Sequence, residues 1–301
     1  MNDYRKKDRS TFNLKILGIL FVIPALLLIT AMSIVPIVCN FILSFFSWNG
    51  NSSLKAIGFQ NYIQAFTDSV TLVSFYHSVF IAIFSTVIAV LSGLILALMI
   101  NKMGKKEGSF YRFIFFTPSM TPLTVIGLLF VFILSPDIGL LNNILRLIGL
   151  GDLQHAWLAE PGTVLWSIVI IGGWRFVGVA MMFCYTAIVA IPSSMFEACR
   201  IDGAGYIKQV QMIILPLIKP TIQLTTMMLL MWSYKTYDIV WAMTKGGPGD
   251  LSRTIPVRML ETGFTFNQFG YSSAIGVLLT ILVSISVWAV QRSLRGEIYE
   301  Y

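Results

Sequence analysis

Residues 191–220 read IPSSMFEACRIDGAGYIKQVQMIILPLIKP, a polar, glycine-punctuated stretch between two long apolar runs. Ser194 followed three residues later by Glu197 predicts a capping box, in which hydroxyl and carboxylate each satisfy an orphan N–H at a helix start. Asp202-Gly203 supplies a residue tolerant of positive φ and predicts a stop after about two turns. Gly205 allows a second change of direction. Tyr206 to Ile214 can restart a helix, which Pro216 and Pro220 are expected to disturb. The short helix carries Met195, Phe196, Ala198 and Ile201, more apolar surface than an idle loop of that size needs, which predicts a docking surface.

The flanking runs decide what kind of chain surrounds this stretch. Of 301 residues, 56% are hydrophobic and 12% charged, with a mean hydropathy of +0.78. Soluble domains carry about a quarter charged residues, so the reading is an all-α polytopic membrane protein. Apolar windows of spanning length, about 20 residues, fall near 16–46, 72–100, 111–134, 163–190, 217–243 and 272–290. They predict six transmembrane helices. The first window is longer than the apolar core of a cleaved signal peptide, about 7–15 residues, so it is read as a retained span. The pair Phe116-Thr117-Pro118 and Thr121-Pro122 predicts a kinked third span packed inside the bundle rather than facing lipid.

Charge sets the expected orientation. With the N-terminus inside, residues 1–15, 101–112, 191–219 and 291–301 hold fourteen of the 21 Lys and Arg, against six outside and Arg175 within a span. That bias predicts both termini and the 191–220 loop on the cytoplasmic side. The net charge of +7 is therefore topological, and no nucleic-acid partner is expected. Cys39, Cys184 and Cys199 suggest no disulfide framework.

On these residues the chain resembles the permease subunits of ABC importers. Glu197-Ala198-Cys199, Gly203, Ile213 and Leu215-Pro216 match the spacing of their EAA loop, with Cys199 in place of the second alanine. Gly58-Phe59-Gln60-Asn61-Tyr62 is similar to a Gly-x-x-Asn-Tyr element of the sugar-permease group (the maltose, lactose and glycerol-phosphate type). Asp238 ahead of Thr244-x-Gly246-Gly247-Pro248 resembles a second element of that group, with Tyr237 where it has phenylalanine. The resemblance implies the type I importer fold: residues 1–71 as N-terminal tail, first span and outer loop, and 72–301 as permease core with the 191–220 loop and a short cytoplasmic tail. It also implies a bacterial cytoplasmic-membrane location. The implied partners are a second, different permease chain, two cytosolic ATPases that bind ATP and Mg, and an extracytoplasmic solute-binding protein. ATPase docking then falls on Ser194, Met195, Phe196, Glu197, Ala198, Cys199, Ile201, Asp202 and Gly203.

Two further groups point to solute. Arg175 sits mid-span, where a guanidinium costs about 2.5–3.5 kcal/mol on insertion scales and must face a partner or a wet path. It reads either as a pathway residue or as a structural contact. Trp232, Tyr234, Tyr237 and Asp238, with Trp241, fall in the outer half of the predicted fifth span. Aromatic faces with hydrogen-bonding edges suit a carbohydrate, and equally an interfacial belt. Lys235 and Asp238, at i and i+3, are expected to pair. In the second outer loop, Ile144, Leu145, Leu147 and Ile148 recur at helical spacing, as an amphipathic helix or a lip for a partner. Arg253, Arg258 and Glu261 are placed in an outer loop that would meet the binding protein.

No phosphate-binding G-x-x-x-x-G-K-[ST], H-E-x-x-H or G-x-S-x-G occurs, and His77 and His155 lack metal-ligand spacing. Neither a catalytic residue, a metal site nor a cofactor on this chain is expected. The rival class is an ion-coupled secondary transporter or a channel subunit, for which internally repeated halves would speak; none is apparent.

Overall fold

The structure is a computed structural model in which residues 20–294 are described; the basic residues of 1–15 and Arg295 lie outside them. In hydrocarbon every backbone polar group must be satisfied within its own segment, so the apolar runs become helices. Among the described residues, five unbroken helices are long and apolar enough to cross a bilayer: Leu20–Leu43, Ser69–Ile100, Val164–Val189, Tyr206–Tyr234 and Phe269–Ser293. Lys105–Met120 and Leu123–Ile133 make a sixth span if taken together, although they meet at 95°. The six-span, all-helical expectation holds. The described residues include one small antiparallel ladder, Phe46–Ser47 against Lys55–Ala56.

Three details depart from the sequence reading, each through proline or a helix break. The third span is broken rather than kinked. Thr121, held extended (ψ 136°) by Pro122, cannot continue the helix. Its first half is not inside the bundle on this chain, since Gly108 is its one buried residue. Hydroxyls cover carbonyls near the break, with Thr117 donating to Phe113 O and Ser119 to Phe116 O. The fifth span starts at Tyr206 and ends at Tyr234, not 217–243; residues 238–243 form a separate short helix, Asp238–Met243. Pro216 widens this span instead of stopping it. A π turn at Val210–Ile214 precedes it, as Thr30–Ile34 precedes Pro36 in the first span. The extra residue relieves the ring's clash with the preceding turn.

Two compact units divide the chain: residues up to Ala65 with Thr262–Val277, and Phe66–Glu261 with the residues from Leu278. In the first, the Gly-x-x-Asn-Tyr element is a staple. The Asn61 amide donates to the carbonyls of Ser44 (2.8 Å) and Phe46 (3.0 Å), and the Tyr62 hydroxyl lies 2.6 Å from that of Ser44. Gly270 is required beside it, because a Cβ there would stand 1.9 Å from Phe46 O. The first span is unburied along its most apolar window.

In the second unit the fourth span, Val164–Val189, lies against the second. Small residues allow the approach: a Cβ on Gly93 would come within 2.5 Å of the Ala180 Cβ. One apolar cluster forms around Ile81, Val164, Ile168 and Ile239, and another around Ile100, Met181, Ile188 and Ile214. The expected helix of the second outer loop is present as Leu140–Leu147. Its buried Asn142 is a hub, donating to Pro136 O and His155 O and accepting from the Trp157 indole.

Arg253, Arg258 and Glu261 do not form the open loop expected. Arg258 pairs with Asp68 at 2.7 Å, and Arg253 pairs with Glu261 at 3.1 Å and with Asp250. The helix Ile255–Leu260 tucks Ile255 and Val257 fully inside. The Ser78 hydroxyl accepts Ile255 N–H, and the His77 ring nitrogen sits 3.1 Å from Arg253 O.

Candidate functional site

The 191–220 stretch folds as a short helix, Ser193–Ile201, hung between the fourth and fifth spans. It begins two residues earlier than the capping box requires. Pro192 occupies the cap position, Ser194 already lies in the first turn, and no side chain caps the end. The capping box is therefore not formed. The stop is as expected: Gly203 adopts φ +75°, with Gly203 N–H on Arg200 O and Ala204 N–H on Cys199 O, both 3.0 Å. That is the paired-bond Schellman closure, open to glycine at little cost.

The helix has two faces, and they divide the predicted docking residues. Met195, Phe196 and Cys199 turn inward onto the cluster of Ile100, Met181, Cys184, Ile188 and Ile214. This corrects the expectation that Met195 and Phe196 form an outward apolar surface. Ser194, Glu197, Ala198 and Ile201 form the exposed stripe, continued by Asp202 and Gly203, and Ile201 is 87% exposed. The inward residues join an apolar cluster to which the second, fourth and fifth spans all contribute.

The loop is also tied laterally, by contacts the sequence did not reveal. The Tyr206 hydroxyl donates to Leu98 O at 2.8 Å, and Lys102 Nζ lies 3.5 Å from the Tyr206 ring centroid. Buried Gln209 donates to Ala204 O, closing the turn before the fifth span. Between the helix and the Asn101-Lys102 turn lies a cavity of about 820 Å³, lined in part by Glu197, Arg200, Tyr206 and Gln209. Tyr206 and Leu98 are too far apart in sequence for periodicity to connect them. The only available signal was a tyrosine immediately after Gly205 at a helix start.

The expected solute residues separate into two groups. Tyr234 is 1% exposed and buried against Leu279, Leu282 and Val283, with its hydroxyl 2.9 Å from that of Ser286. It is a packing residue, which corrects its assignment to an open path. The others remain accessible. Trp232 is 42% exposed, its ring centroid 5.8 Å from that of Phe176, and the Arg175 guanidinium is 4.9 Å from the same Phe176 ring. Arg175 Nε is buried without a hydrogen-bond partner among the described residues. Tyr237 and Trp241 stack at 5.5 Å and 18°. The expected Lys235–Asp238 pair is not made, because Tyr234 ends one helix and Asp238 starts the next. Arg175, Trp232 and Asp238 thus place an accessible indole, backed by the buried Phe176 ring, beside two opposite charges that are not locked together.

Residues 89–296 match the family model described as binding-protein-dependent transport system inner membrane component. The chain is 37% identical over 286 residues to a probable ABC transporter permease protein, YurN, of Bacillus subtilis (strain 168), covering 94% of this chain and 98% of that one. It is 30% identical over 278 residues to the sulfoquinovosyl glycerol transport system permease protein SmoG of Agrobacterium fabrum, covering 92% and 89%. Among solved structures it is similar to a bacterial ABC transporter involved in import of the acidic polysaccharide alginate. The TM-score is 0.82 at 20% identity, over 95% of this chain and 98% of that one.

Proposed function

This chain belongs to the inner membrane component family of binding-protein-dependent transport systems, and from that premise we propose that it forms half of an ATP-driven import path for a carbohydrate. The observation that carries the reading is the two-faced Ser193–Ile201 helix, exposed along Ser194, Glu197, Ala198 and Ile201 and seated inward on three spans. The exposed stripe is the dock for a cytosolic ATPase. ATP and Mg belong to two such ATPase subunits, the other half of the path to a second, different permease chain, and delivery to an extracytoplasmic solute-binding protein. Both termini and the docking loop face the cytoplasm.

ATP can shift two conformations only through contacts that differ between them. When the ATPases close, the docking helix moves with them. Met195, Phe196 and Cys199 carry that motion into the Met181–Ile188 stretch of the fourth span and the Ile213–Ile218 stretch of the fifth. The path then opens outward, and hydrolysis resets it. Solute passes Arg175, Trp232, Tyr237 and Asp238, whose rings stack on sugar faces while the charges bind hydroxyls. Relatives named for sulfoquinovosyl glycerol and lactose transport support a carbohydrate cargo.

Ile201→Asp and Glu197→Ala, each compared with the wild type in membranes holding the full transporter, test the dock. Loss of one buried isoleucine contact is worth about 1.5–3 kcal/mol, so ATPase co-purification with the Ile201→Asp chain should fall at least tenfold. Solute-stimulated hydrolysis should no longer drive uptake in either variant. Unchanged co-purification together with unchanged coupled uptake would refute the docking role.

A further inference from the structure

A second cavity, of about 280 Å³, lies wholly within the unit formed by the first outer loop and Thr262–Val277. Its lining is unusual in composition. Six of the eleven lining residues carry side-chain amides: Asn49, Gln60, Asn61, Gln64, Asn267 and Gln268. Trp48 and Tyr271 add rings, and none of the eleven is charged. A charged ligand would find no counter-charge here, and an apolar one would strand amides. A neutral molecule rich in hydroxyls matches, because each amide offers both donors and acceptors.

The walls are held by backbone bonds and by the amides of Asn61 and Asn49. Phe269 N–H donates to Trp48 O at 3.0 Å, Gln268 N–H donates to Thr262 O, and the Trp48 and Phe269 rings meet at 5.4 Å. Asn61 spends its N–H groups on Ser44 and Phe46, and the Asn49 Oδ1 accepts from the N–H groups of Asn51 and Ser52. The side-chain amides of Gln60, Asn267 and Gln268 make no hydrogen bond with the other described residues. Asn267 is carried on a left-handed backbone, φ +53°. The rim is thus a fixed indole edge beside amides that are exposed and free to turn toward a ligand. The volume of about 280 Å³ falls just below the range of drug-sized ligand sites, about 300–1,000 Å³, which suits a small sugar.

We infer that this cavity is a carbohydrate-binding subsite separate from the Arg175–Asp238 path, taking a neutral mono- or disaccharide from the outer side of the membrane. That it faces outward rests on the orientation proposed above; its ligand chemistry rests on the lining alone.

The test uses the full chain in nanodiscs, open to solution on both faces, so binding does not depend on orientation. Glucose, galactose, N-acetylglucosamine, maltose and lactose are titrated to high millimolar concentration while Trp fluorescence is followed, with Trp48→Phe as the reference that removes the local signal. At least one sugar should give a saturable change that vanishes in Trp48→Phe. Loss of one amide hydrogen bond should weaken it roughly fivefold in Gln60→Ala and in Gln268→Ala, and Asp238→Ala should leave it unchanged. No saturable change with any of the five sugars overturns the subsite. Equal affinity in the amide variants also overturns it, as does loss in Asp238→Ala, which would assign binding to the path. Protection of Trp48 only by a solute-binding protein would make the cavity a protein contact and equally end the proposal. Failed uptake with intact nanodisc binding would instead count against the transport reading alone.

Discussion

Replacing Gly203 and Gly205 by alanine, two residues apart, isolates what the docking loop asks of its backbone. Neither position has any atom within 4 Å of an added Cβ, so packing is neutral at both. They differ in conformation alone: Gly203 sits at φ +75°, Gly205 at φ −68° and ψ 170°. An L-residue in the left-handed region costs roughly 1–2 kcal/mol, whereas extended backbone costs alanine nothing. Escape from the strain would also break the Schellman pair, Gly203 N–H to Arg200 O and Ala204 N–H to Cys199 O. The fraction of chains presenting Ile201 and Glu197 in docking geometry should therefore fall about 5–30-fold in Gly203→Ala. Gly205→Ala should match the wild type, and Gly203→Asn, which tolerates positive φ better, should fall between. The assay is ATPase co-purification and ATP-dependent uptake in proteoliposomes, with thermal unfolding measured in parallel to show that the spans are intact. Equal behaviour of Gly203→Ala and Gly205→Ala in both assays would refute the backbone argument.

Other perturbations separate structural from transport roles. Tyr234→Phe should lower stability by about 1 kcal/mol through loss of the Ser286 contact and leave uptake kinetics unchanged. Trp232→Ala should do the reverse, and an uptake defect in Tyr234→Phe would return that residue to the path. Arg258→Ala removes the counter-charge of the mostly buried Asp68, which keeps the Val70 N–H and the Thr71 hydroxyl. It should cost about 1–3 kcal/mol, less than a fully buried pair, read as a lower melting temperature in detergent. The Glu160 carboxyl is held below its ordinary value of 4.5, first by the Ala156 N–H and then by His155. Because the folded state prefers the carboxylate, its contribution is complete above about 4.5 and is lost as pH falls through the lower folded value. Amide protection over 155–160 should drop in that acid window, and Glu160→Gln should remove the pH dependence.

Much of the membrane architecture was legible because hydrocarbon imposes a simple rule: apolar length plus internal hydrogen bonding means a helix. The Gly203 stop was legible for the same kind of reason, since positive φ is a local property of the chain. Boundaries were less so. Hydropathy placed the fifth span late because Tyr206 to Gln209 are polar or mixed, although Gly205 and the anchor from Tyr206 to Leu98 start the helix there. Composition alone could not show that the helix breaks between Tyr234 and Asp238, which removed the Lys235–Asp238 pair, nor that the last span would pack over Tyr234 through Leu279, Leu282 and Val283.

The sequence by itself determined that this chain crosses a membrane several times and carries a short glycine-closed helix between two of its spans, at the spacing of ABC importer permeases. Those features depend on hydropathy, local turn geometry and fixed residue spacing. Only the tertiary structure decided which face of that helix is exposed. Met195, Phe196 and Cys199 are no less apolar than Ala198 and Ile201; what separates them is the position of three spans brought together from distant parts of the chain. The same is true of the amide-lined cavity, whose residues come from segments some two hundred positions apart and acquire a common chemistry only when the backbone bond from Phe269 to Trp48 closes them together.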